Sequence, residues 1–483
     1  MQTRRDRVQA YNFTVGRLGT AMLEGDPDAV DAPMRRTRTG TYIGVALGAL
    51  ICVGFLVFGL IFPGGSTNWR QDGNLVVMRE TGATYMYGGG MLRPVANYAS
   101  ARLIAGGEPQ MSRVSAEAVM GERVGAPVGI PGAPDTLPAL DSGATSVWRL
   151  CALPPEEDGG APRTALTVAP DTGDGVPLED RAVLAAGPDG THHLLWNGRR
   201  LRFDDEAGAL QALGYGTTPA VEVSAEFLAT VPAAADLSAV EVPGAGEAGP
   251  DIGGAPSRVG QVFTVSGGGQ GDQHFVLTRE GLAPLTVTDA LLLLADPGIR
   301  ESVFGGGDPA AVAVDAGEAS AHLAEDAGPV RPEADGLPAQ PPEIAPAEEG
   351  APCLRVTGGE ASIGLYPPDG VAAWPVPELP GVAPGCPTPD LIGIPNGGGG
   401  VAAAQPAAGR TGSPALYLVS DAGAKYRIPD TQVLEVLGYQ PADTVPVPTA
   451  LLRLLPTGPD LSPDTAALPV ADAAAQAEPA SCP

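Results

Sequence analysis

The stretch TYIGVALGALICVGFLVFGLIF, residues 41–62, contains no charged residue. A helix of this length crosses a hydrocarbon layer of roughly 30 Å. Arg35, Arg36 and Arg38 precede the stretch, and the first cation after it is Arg70. By the positive-inside rule the N-terminus lies in the cytoplasm. The sequence therefore predicts a single-pass membrane protein whose transmembrane helix spans residues 41–62 and whose C-terminal bulk is extracytoplasmic.

A secretory signal peptide is the alternative interpretation of this apolar stretch. About 40 residues precede it, the stretch itself is long, and Pro-Gly-Gly-Ser follows at residues 63–66 in place of an A-x-A cleavage site. These features favour a retained membrane anchor over a cleaved peptide.

Small residues recur every four positions along the predicted transmembrane helix, at Gly40, Gly44, Gly48 and Cys52. This spacing places them on one face, where another helix can approach closely. Glycine is also common in membrane helices in general, so the pattern leaves two interpretations open: a helix-packing ridge and ordinary membrane-helix composition.

Residues 1–40 are predicted to form a short cytoplasmic amphipathic helix. Apolar residues step by three and four along it, which places them on one stripe; they are Val8, Tyr11, Val15, Leu18 and Met22. No nearby segment offers a core to cover this stripe. The region holds seven Arg and five acidic residues, a weak positive charge. A protein partner is therefore favoured over a lipid-surface helix.

The composition limits the remaining possibilities. The chain has 483 residues with 67 Gly, 51 Pro and a formal charge of -28, and its single lysine is Lys425. Such Gly and Pro contents predict short strands, many turns and linkers. The acidity argues against nucleic-acid binding, because a phosphate backbone needs a basic protein face.

The exported part contains four copies of one pattern, in which a strand, a Gly-containing turn and a second strand lead into a short apolar helix. The clearest copy runs from Ala415 to Pro463, and a second starts near Ala182. Leu213-Gly214-Tyr215 matches Leu437-Gly438-Tyr439, and in both copies an apolar pair follows after the same interval. Each copy is too small to bury a core alone, so the copies must pack on each other or on a central element.

The fold class expected is a single-pass membrane protein with an α+β extracytoplasmic region, in which four β-hairpin/helix repeats surround a central, mostly-β domain. Alternating apolar segments near Trp148 and after Ala351 are candidates for the central sheet. The predicted boundaries are 70–138, 181–240, 258–300 and 413–465 for the repeats, 144–180 and 351–412 for the central domain with a linker from Gly381 to Ala408, 301–350 for a disordered linker, and 466–483 for a disordered tail.

Four cysteines lie outside the membrane and permit three pairings. Cys151 and Cys353 both lie in strand-like central segments, which favours a bond between them and leaves Cys386 and Cys482 as a possible second pair. In the chain-entropy model, closing a loop of about 200 residues contributes about 4–5 kcal/mol.

The sequence contains none of the catalytic motifs considered for it. A Walker A loop requires a G-K-[ST] ending, and the only lysine lies in a repeat strand. The G-x-G-x-x-G string at residues 244–249 is interpreted as a linker, because no helix is predicted to follow it. His192 and His193 are interpreted as strand or turn surface residues and not as metal ligands. Asp421 and Asp430 occupy turn or cap positions. We expect no metal and no cofactor.

Several of these features together resemble the EccB family, the single-span component of type VII (ESX) secretion systems. The shared parts are the Arg-rich cytoplasmic helix with GDPD at residues 25–28, the Pro-Gly-Gly-Ser after the membrane helix, RETGATYMYGGGMLRPVANYASARL, GIPGAPD at residues 129–135, and the Leu-Gly-Tyr repeats. The resemblance covers essentially the whole chain.

The resemblance implies an inner-membrane complex, in which EccC-like ATPase and EccD-like channel subunits are partners and the chain forms a homo-oligomer. It also implies repeats similar to cell-wall-binding modules, and a central-domain disulfide that falls on Cys151 and Cys353. Members of the family are often labelled ATPases, so ATP enters as a cofactor through that label alone.

Three functional hypotheses follow. The first is a structural subunit that anchors the complex and extends toward the envelope. The second is peptidoglycan binding through aromatic residues of the repeats, for which the candidates are Tyr85, Tyr87, Trp196, Tyr426 and Tyr439. For Tyr439 its repeat motif favours a place in the core over sugar stacking. The third is ATP hydrolysis, which has no motif to support it.

Overall fold

A computed structural model describes residues 3–24, 34–61, 67–139, 146–157, 159–204, 206, 208–267, 271–325, 328–331, 336–405 and 413–476. Two helices lead the chain, α1 (Arg4–Glu24) and α2 (Met34–Ile61). Within α2, residues Thr37–Phe58 have a mean hydropathy of 2.3, and no part of this span is buried within the protein. Among the described residues it is the one helix long and apolar enough to cross a membrane.

The first half of the exported region contains two four-stranded sheets and three strands of a larger sheet. The first sheet comprises β1 (Leu75–Met78), β2 (Thr84–Gly88), β3 (Met91–Pro94) and β4 (Met111–Val114), with helices α3 (Tyr98–Ala105) and α4 (Ala116–Val119). The strands of the larger, central sheet are β5 (Ser146–Leu153), β6 (Arg163–Pro170) and β7 (Val176–Pro177). The second sheet comprises β8 (Val183–Ala186), β9 (His192–Trp196), β10 (Arg199–Arg202) and β11 (Val221–Glu222), with α5 (Ala209–Ala212) and α6 (Ala225–Thr230).

The second half continues in the same manner. A hairpin of β12 (Ala248–Ile252) and β13 (Ala255–Arg258) precedes the third sheet, which comprises β14 (Val262–Val265), β15 (Gln273–Leu277), β16 (Leu282–Leu285) and β17 (Val312–Val314), with α7 (Val287–Ala295), α8 (Pro297–Phe304) and α9 (Ala316–Ala321). The central sheet resumes with β18 (Ala351–Thr357), β19 (Glu360–Tyr366), β20 (Trp374–Pro375) and β21 (Leu391–Gly393). The fourth sheet comprises β22 (Gly400–Gln405), β23 (Leu416–Val419), β24 (Lys425–Ile428) and β25 (Thr444–Pro448), with α10 (Thr431–Val436) and α11 (Thr449–Leu454), and α12 (Pro463–Ala466) and α13 (Val470–Gln476) follow.

The four small sheets share one strand order. In each, the first three strands form two successive hairpins, and the fourth strand pairs in parallel with the first. A parallel pair needs a crossover connection, and short helices supply it between the third and fourth strands of every sheet. A further helix follows each fourth strand.

The central sheet has seven strands in the order β20-β21-β6-β5-β18-β19-β7. Its middle pair joins distant parts of the chain, because β5 and β18 pair antiparallel with Cys151 directly opposite Cys353. These two cysteines form a disulfide across a sequence separation of 202 residues. Cys386 is also disulfide-bonded, while its expected partner Cys482 lies outside the described residues.

Shared hydrophobic cores link the sheets in a series. The largest core contains side chains of the central sheet together with those of the second and fourth sheets. Examples are Leu150, Phe227 and Leu451, which are fully buried. A second core joins Leu103 of the first sheet unit to Leu434 of the fourth. The third sheet unit reaches the second through Leu292 of α7. The units are therefore ordered first, fourth, central, second and third.

The prediction of a disordered linker at 301–350 is wrong for the residues of this range that the structure describes. Val312–Val314 forms β17 and completes the third sheet by pairing with β14, and α9 follows it. Further on, Ile344 forms a bridge with Ala182 and packs on the core of the second sheet unit. Main-chain hydrogen bonds need no large side chains, which is why a composition poor in apolar groups concealed this order.

Two other segments expected to lack structure are also ordered. Within the proposed linker at 381–408, β21 belongs to the central sheet, and β22 is the first strand of the fourth sheet, which therefore begins at Gly400 and not near residue 413. In the proposed tail, α13 packs back on the first sheet unit, where the Val470 amide donates to the Pro127 carbonyl over 2.9 Å. Residues 477–483 of that tail lie outside the described residues.

The disulfide gives a stability prediction. Replacing both cysteines, Cys151→Ser with Cys353→Ser, frees a loop of about 200 residues in the unfolded chain and lowers the free energy of unfolding by up to about 5 kcal/mol in the chain-entropy model. Urea unfolding of the full chain in detergent, followed by tryptophan fluorescence, measures this change. Cys52→Ser, at the exposed cysteine of α2, is the control. Equal urea midpoints for the double variant and the control would contradict the prediction.

Candidate functional site

The apolar stripe of α1 is exposed along its whole length. Its five side chains have exposed fractions between 50% and 84%; they are Val8, Tyr11, Val15, Leu18 and Met22. Phe13 is 68% exposed as well, and at 100° per residue it points away from the stripe. The sequence reasoning passed over Phe13 because it lies two positions from Tyr11 and breaks the three-four spacing. Docking of a partner on the stripe stays a prediction.

The small-residue ridge of α2 is likewise open. At Gly40, Gly44 and Gly48 no atom lies within 4 Å of the position that a Cβ would occupy. Cys52 is exposed and carries a free thiol. A neighbouring helix can therefore reach this face without displacing any described residue, and its packing role stays a prediction.

The Leu-Gly-Tyr motifs hold distant segments of the exported region together. In each motif the glycine adopts a left-handed backbone after a short helix, with φ of +84° at Gly214 and +92° at Gly438. The tyrosine that follows turns inward. The Tyr215 hydroxyl donates to the Pro342 carbonyl over 2.7 Å, and the Tyr439 hydroxyl donates to the Pro138 carbonyl over 2.8 Å.

These two hydrogen bonds are buried, and their environment changes the acidity of both phenols. Burial raises the pKa of Tyr215 to about 12 and raises the pKa of Tyr439 as well. Both hydroxyls therefore remain protonated donors at any physiological pH. The proline carbonyls lie 127 and 301 residues away along the chain, so the motif acts as a clamp between distant segments.

Lys425, the single lysine, is also structural. Its side chain is buried, and Nζ donates to the Leu455 carbonyl over 2.6 Å and to the Thr457 hydroxyl over 2.7 Å. Burial lowers its pKa to about 8. The ammonium thus ties β24 to the loop after α11 and is not positioned to contact a bound phosphate.

The aromatic residues proposed for sugar stacking do not form an exposed platform. Tyr426 and Tyr439 are buried, so Tyr426 is a wrong candidate and Tyr439 is a core residue. Tyr85, Tyr87 and Trp196 are half-buried within hydrophobic clusters. Trp374 is 61% exposed, and the sequence reasoning did not single it out because it stands in a Pro-rich segment without alternating apolar neighbours.

The acidic and imidazole groups considered in the sequence have structural positions. Asp421 accepts from the Thr136 hydroxyl and the Gly397 amide, and Asp430 caps α10 by accepting from the Val433 amide. His193 is buried, contrary to its interpretation as a surface residue, and this burial lowers its pKa. Among the described residues no group of three His, Cys, Asp or Glu side chains could hold a metal ion.

A family model described as "Type VII secretion system ESX-1, transport TM domain B" matches residues 1–475 of the chain. The chain belongs to the EccB family of type VII secretion proteins. This confirms the resemblance found in the sequence.

Curated EccB relatives match over different lengths. The ESX-3 secretion system ATPase EccB3 of Mycolicibacterium smegmatis is 29% identical over 496 residues, which cover 95% of this chain and 89% of the relative. The ESX-2 secretion system ATPase EccB2 of Mycobacterium tuberculosis is 30% identical over 270 residues. This second match spans about half of each protein, 54% of this chain and 52% of the relative.

Solved EccB structures share the fold. A chain of an intact ESX-5 inner membrane complex superposes with a TM-score of 0.62 at 24% identity, covering 97% of this chain and 95% of that one. The EccB3 dimer from the ESX-3 core complex gives a TM-score of 0.62 at 24% identity, over 82% of this chain and 100% of its own. The mixed α+β fold is thus common to these proteins, and the ESX-5 match, which covers 97% of this chain, extends over the membrane helix as well.

The names of the EccB relatives contain the word ATPase, but the sequence of this chain contains no phosphate-loop motif. A phosphate loop needs a lysine after a glycine-rich turn, and Lys425 is buried in β24. The glycines at 244, 246 and 249 lead into the β12–β13 hairpin and not into a helix, so they form neither a dinucleotide site nor the unstructured linker that was expected.

A cavity of about 510 Å³ lies between the central sheet and the second sheet. Arg355 pairs with Asp171 there over 2.7 Å and lowers the pKa of that carboxyl. Glu179 and Asn197, with φ of +53° and +46°, line the same cavity. Two charged groups of this cavity are thus engaged in an ion pair between different parts of the chain, which suits a structural junction.

The tyrosine clamps give a prediction that separates the contribution of the hydroxyl to stability from the contribution of the aromatic ring. Tyr439→Phe and Tyr215→Phe each leave a buried proline carbonyl unpaired and lower the free energy of unfolding by about 1–2 kcal/mol. Chemical unfolding of the full chain measures this. Tyr417→Phe is the matched control, since its hydroxyl makes no hydrogen bond with any described residue. The clamp role is rejected if all three variants unfold alike.

Proposed function

We propose that the chain is the single-span structural subunit of a type VII secretion inner-membrane complex. The observation that carries this proposal is the match of one family model to residues 1–475, a range that includes the membrane helix and all the sheets. Solved relatives come from such complexes and from a periplasmic assembly. In this function the chain anchors the complex and supports protein export without chemistry of its own.

The proposed orientation has α1 in the cytoplasm and the sheets outside the inner membrane. Arg35, Arg36 and Arg38 stand at the start of α2, and its other end is followed by no cation before Arg70. This asymmetry supports a cytoplasmic N-terminus. The disulfide between Cys151 and Cys353 agrees with an oxidising compartment for the exported region.

The four small sheets are proposed to be copies of one repeat placed around the central sheet. Their common strand order supports this, as do the equivalent tyrosine clamps of the second and fourth copies. Neighbouring units share hydrophobic cores, which supports an exported region whose units are packed on one another.

The partners proposed are EccC-like and EccD-like subunits and further copies of the chain. The stripe on α1 offers an apolar docking surface in the cytoplasm, and the ridge of Gly40, Gly44 and Gly48 offers a helix-packing surface in the membrane. Both surfaces are exposed in the isolated chain, which supports their use in a complex.

Asp substitutions test the stripe. Val8→Asp, Val15→Asp and Leu18→Asp together introduce three charges into the apolar face, and co-purification of the EccC- and EccD-like subunits from mild detergent extracts is expected to fall at least tenfold. Each charge removes apolar burial worth about 1.5 kcal/mol or more. Quantitative mass spectrometry of the purified complex measures the loss.

The matched control places the same three charges on the face opposite the stripe, at Gln9→Asp, Ala10→Asp and Phe13→Asp. This control is expected to keep the complex. A complex that stays intact in the stripe variant shows that the stripe does not dock a partner.

A further inference from the structure

A polar pocket lies in the first sheet unit, which follows the membrane helix in the sequence. It has a volume of about 380 Å³. Trp69, Arg79 and Arg113 line it together with the hydroxyl-bearing Ser112 and Ser115. No acidic side chain lines it, so the groups facing the pocket are two cations and two hydroxyls.

The two guanidinium groups are placed by different strands. Arg79 follows β1, and its Nη2 donates to the Arg113 carbonyl over 3.1 Å, which brings its charge beside β4. Neither arginine forms an ion pair with a described carboxylate. By contrast, Arg70, which stacks on the Trp69 ring, is neutralised by Glu122.

The acids nearest in sequence form no ion pair with these arginines. Glu80, the neighbour of Arg79, accepts from the Ala116 amide over 2.9 Å. Glu117 lies on α4 with its side chain exposed, and neither acid is among the lining residues. The pocket therefore holds two guanidinium groups that have no ion-pair partner among the described residues.

Charge distribution along the chain makes this pocket unusual. The chain carries a formal charge of -28, yet residues 67–138 hold six arginines and six acidic residues and are neutral overall. Anions are repelled by most of the exported region and least by this unit.

The pocket is also close in sequence to the membrane helix. Trp69 is eight residues beyond Ile61, where α2 ends, and eight extended residues span at most about 28 Å. The lipid headgroup layer on the outer side of the membrane is thus within reach of the unit that carries the pocket.

We propose that this pocket binds the phosphate of an anionic phospholipid headgroup in the outer leaflet of the inner membrane. Guanidinium groups recognise phosphate through paired, charge-assisted hydrogen bonds, and the serine hydroxyls supply further donors. Such a contact fixes the first sheet unit against the membrane surface. It adds a second attachment to the one that the transmembrane helix provides.

The test uses the full chain in mild detergent and native mass spectrometry with added phosphatidylglycerol or phosphatidylcholine. The wild-type chain is expected to retain phosphatidylglycerol at least fivefold more than phosphatidylcholine. Arg79→Gln with Arg113→Gln is expected to abolish this preference. Arg93→Gln with Arg123→Gln removes the same charge from the β3 side of the sheet, opposite β4, and is expected to keep it.

Three outcomes overturn the proposal. Retention that is unchanged in the Arg79/Arg113 variant shows that the pocket is not the site, and equal loss in both variants shows attraction by net charge alone. Displacement of phosphatidylglycerol by millimolar inorganic phosphate shows that free phosphate and not lipid is the ligand. If the double variant does not fold, as judged by thermal unfolding, Arg113→Gln alone carries the same comparison, because its exposed guanidinium makes no hydrogen bond with a described residue.

Discussion

The pairing of β5 with β18 is the contact on which the exported region depends. The two strands come from segments about 200 residues apart, and their register places Cys151 opposite Cys353. A sheet unit of about 50 residues cannot bury enough apolar surface to be stable alone. The central sheet supplies the missing surface, because the second and fourth units share its core. The first unit then packs on the fourth, and the third on the second.

This arrangement explains how a chain rich in glycine and proline forms an ordered scaffold. The strands are short, and neighbouring units are held together by cores that they share. Tyr215 and Tyr439 compensate by anchoring proline-rich segments through single buried hydrogen bonds. Attachment of this kind suits a subunit of a membrane complex.

The sequence was enough to predict the membrane helix and the central disulfide. The features that it did not predict escaped for identifiable physical reasons. The membrane helix follows from an uncharged stretch, and the pairing of Cys151 with Cys353 follows from two strand-like segments. The match of Leu213-Gly214-Tyr215 with Leu437-Gly438-Tyr439 located two helix ends, but the carbonyls that the tyrosines bind are 127 and 301 residues away and carry no local signal. The strands β17 and β22 consist of Val, Ala and Gly with one Gln, and their order comes from main-chain pairing that composition does not reveal. The burial of Tyr426 depends on which face of β24 meets the neighbouring unit, which alternation alone leaves open.

Hydrogen exchange of the full chain in detergent tests most directly whether the central sheet holds its neighbours. Leu150→Ala removes a side chain at the middle of the shared core and lowers stability by about 2–5 kcal/mol. The account predicts faster exchange in strands of the second and fourth sheets as well as in the central sheet, whereas Leu293→Ala, in the core of the third unit, leaves those strands protected. Faster exchange confined to the central strands after Leu150→Ala would contradict it.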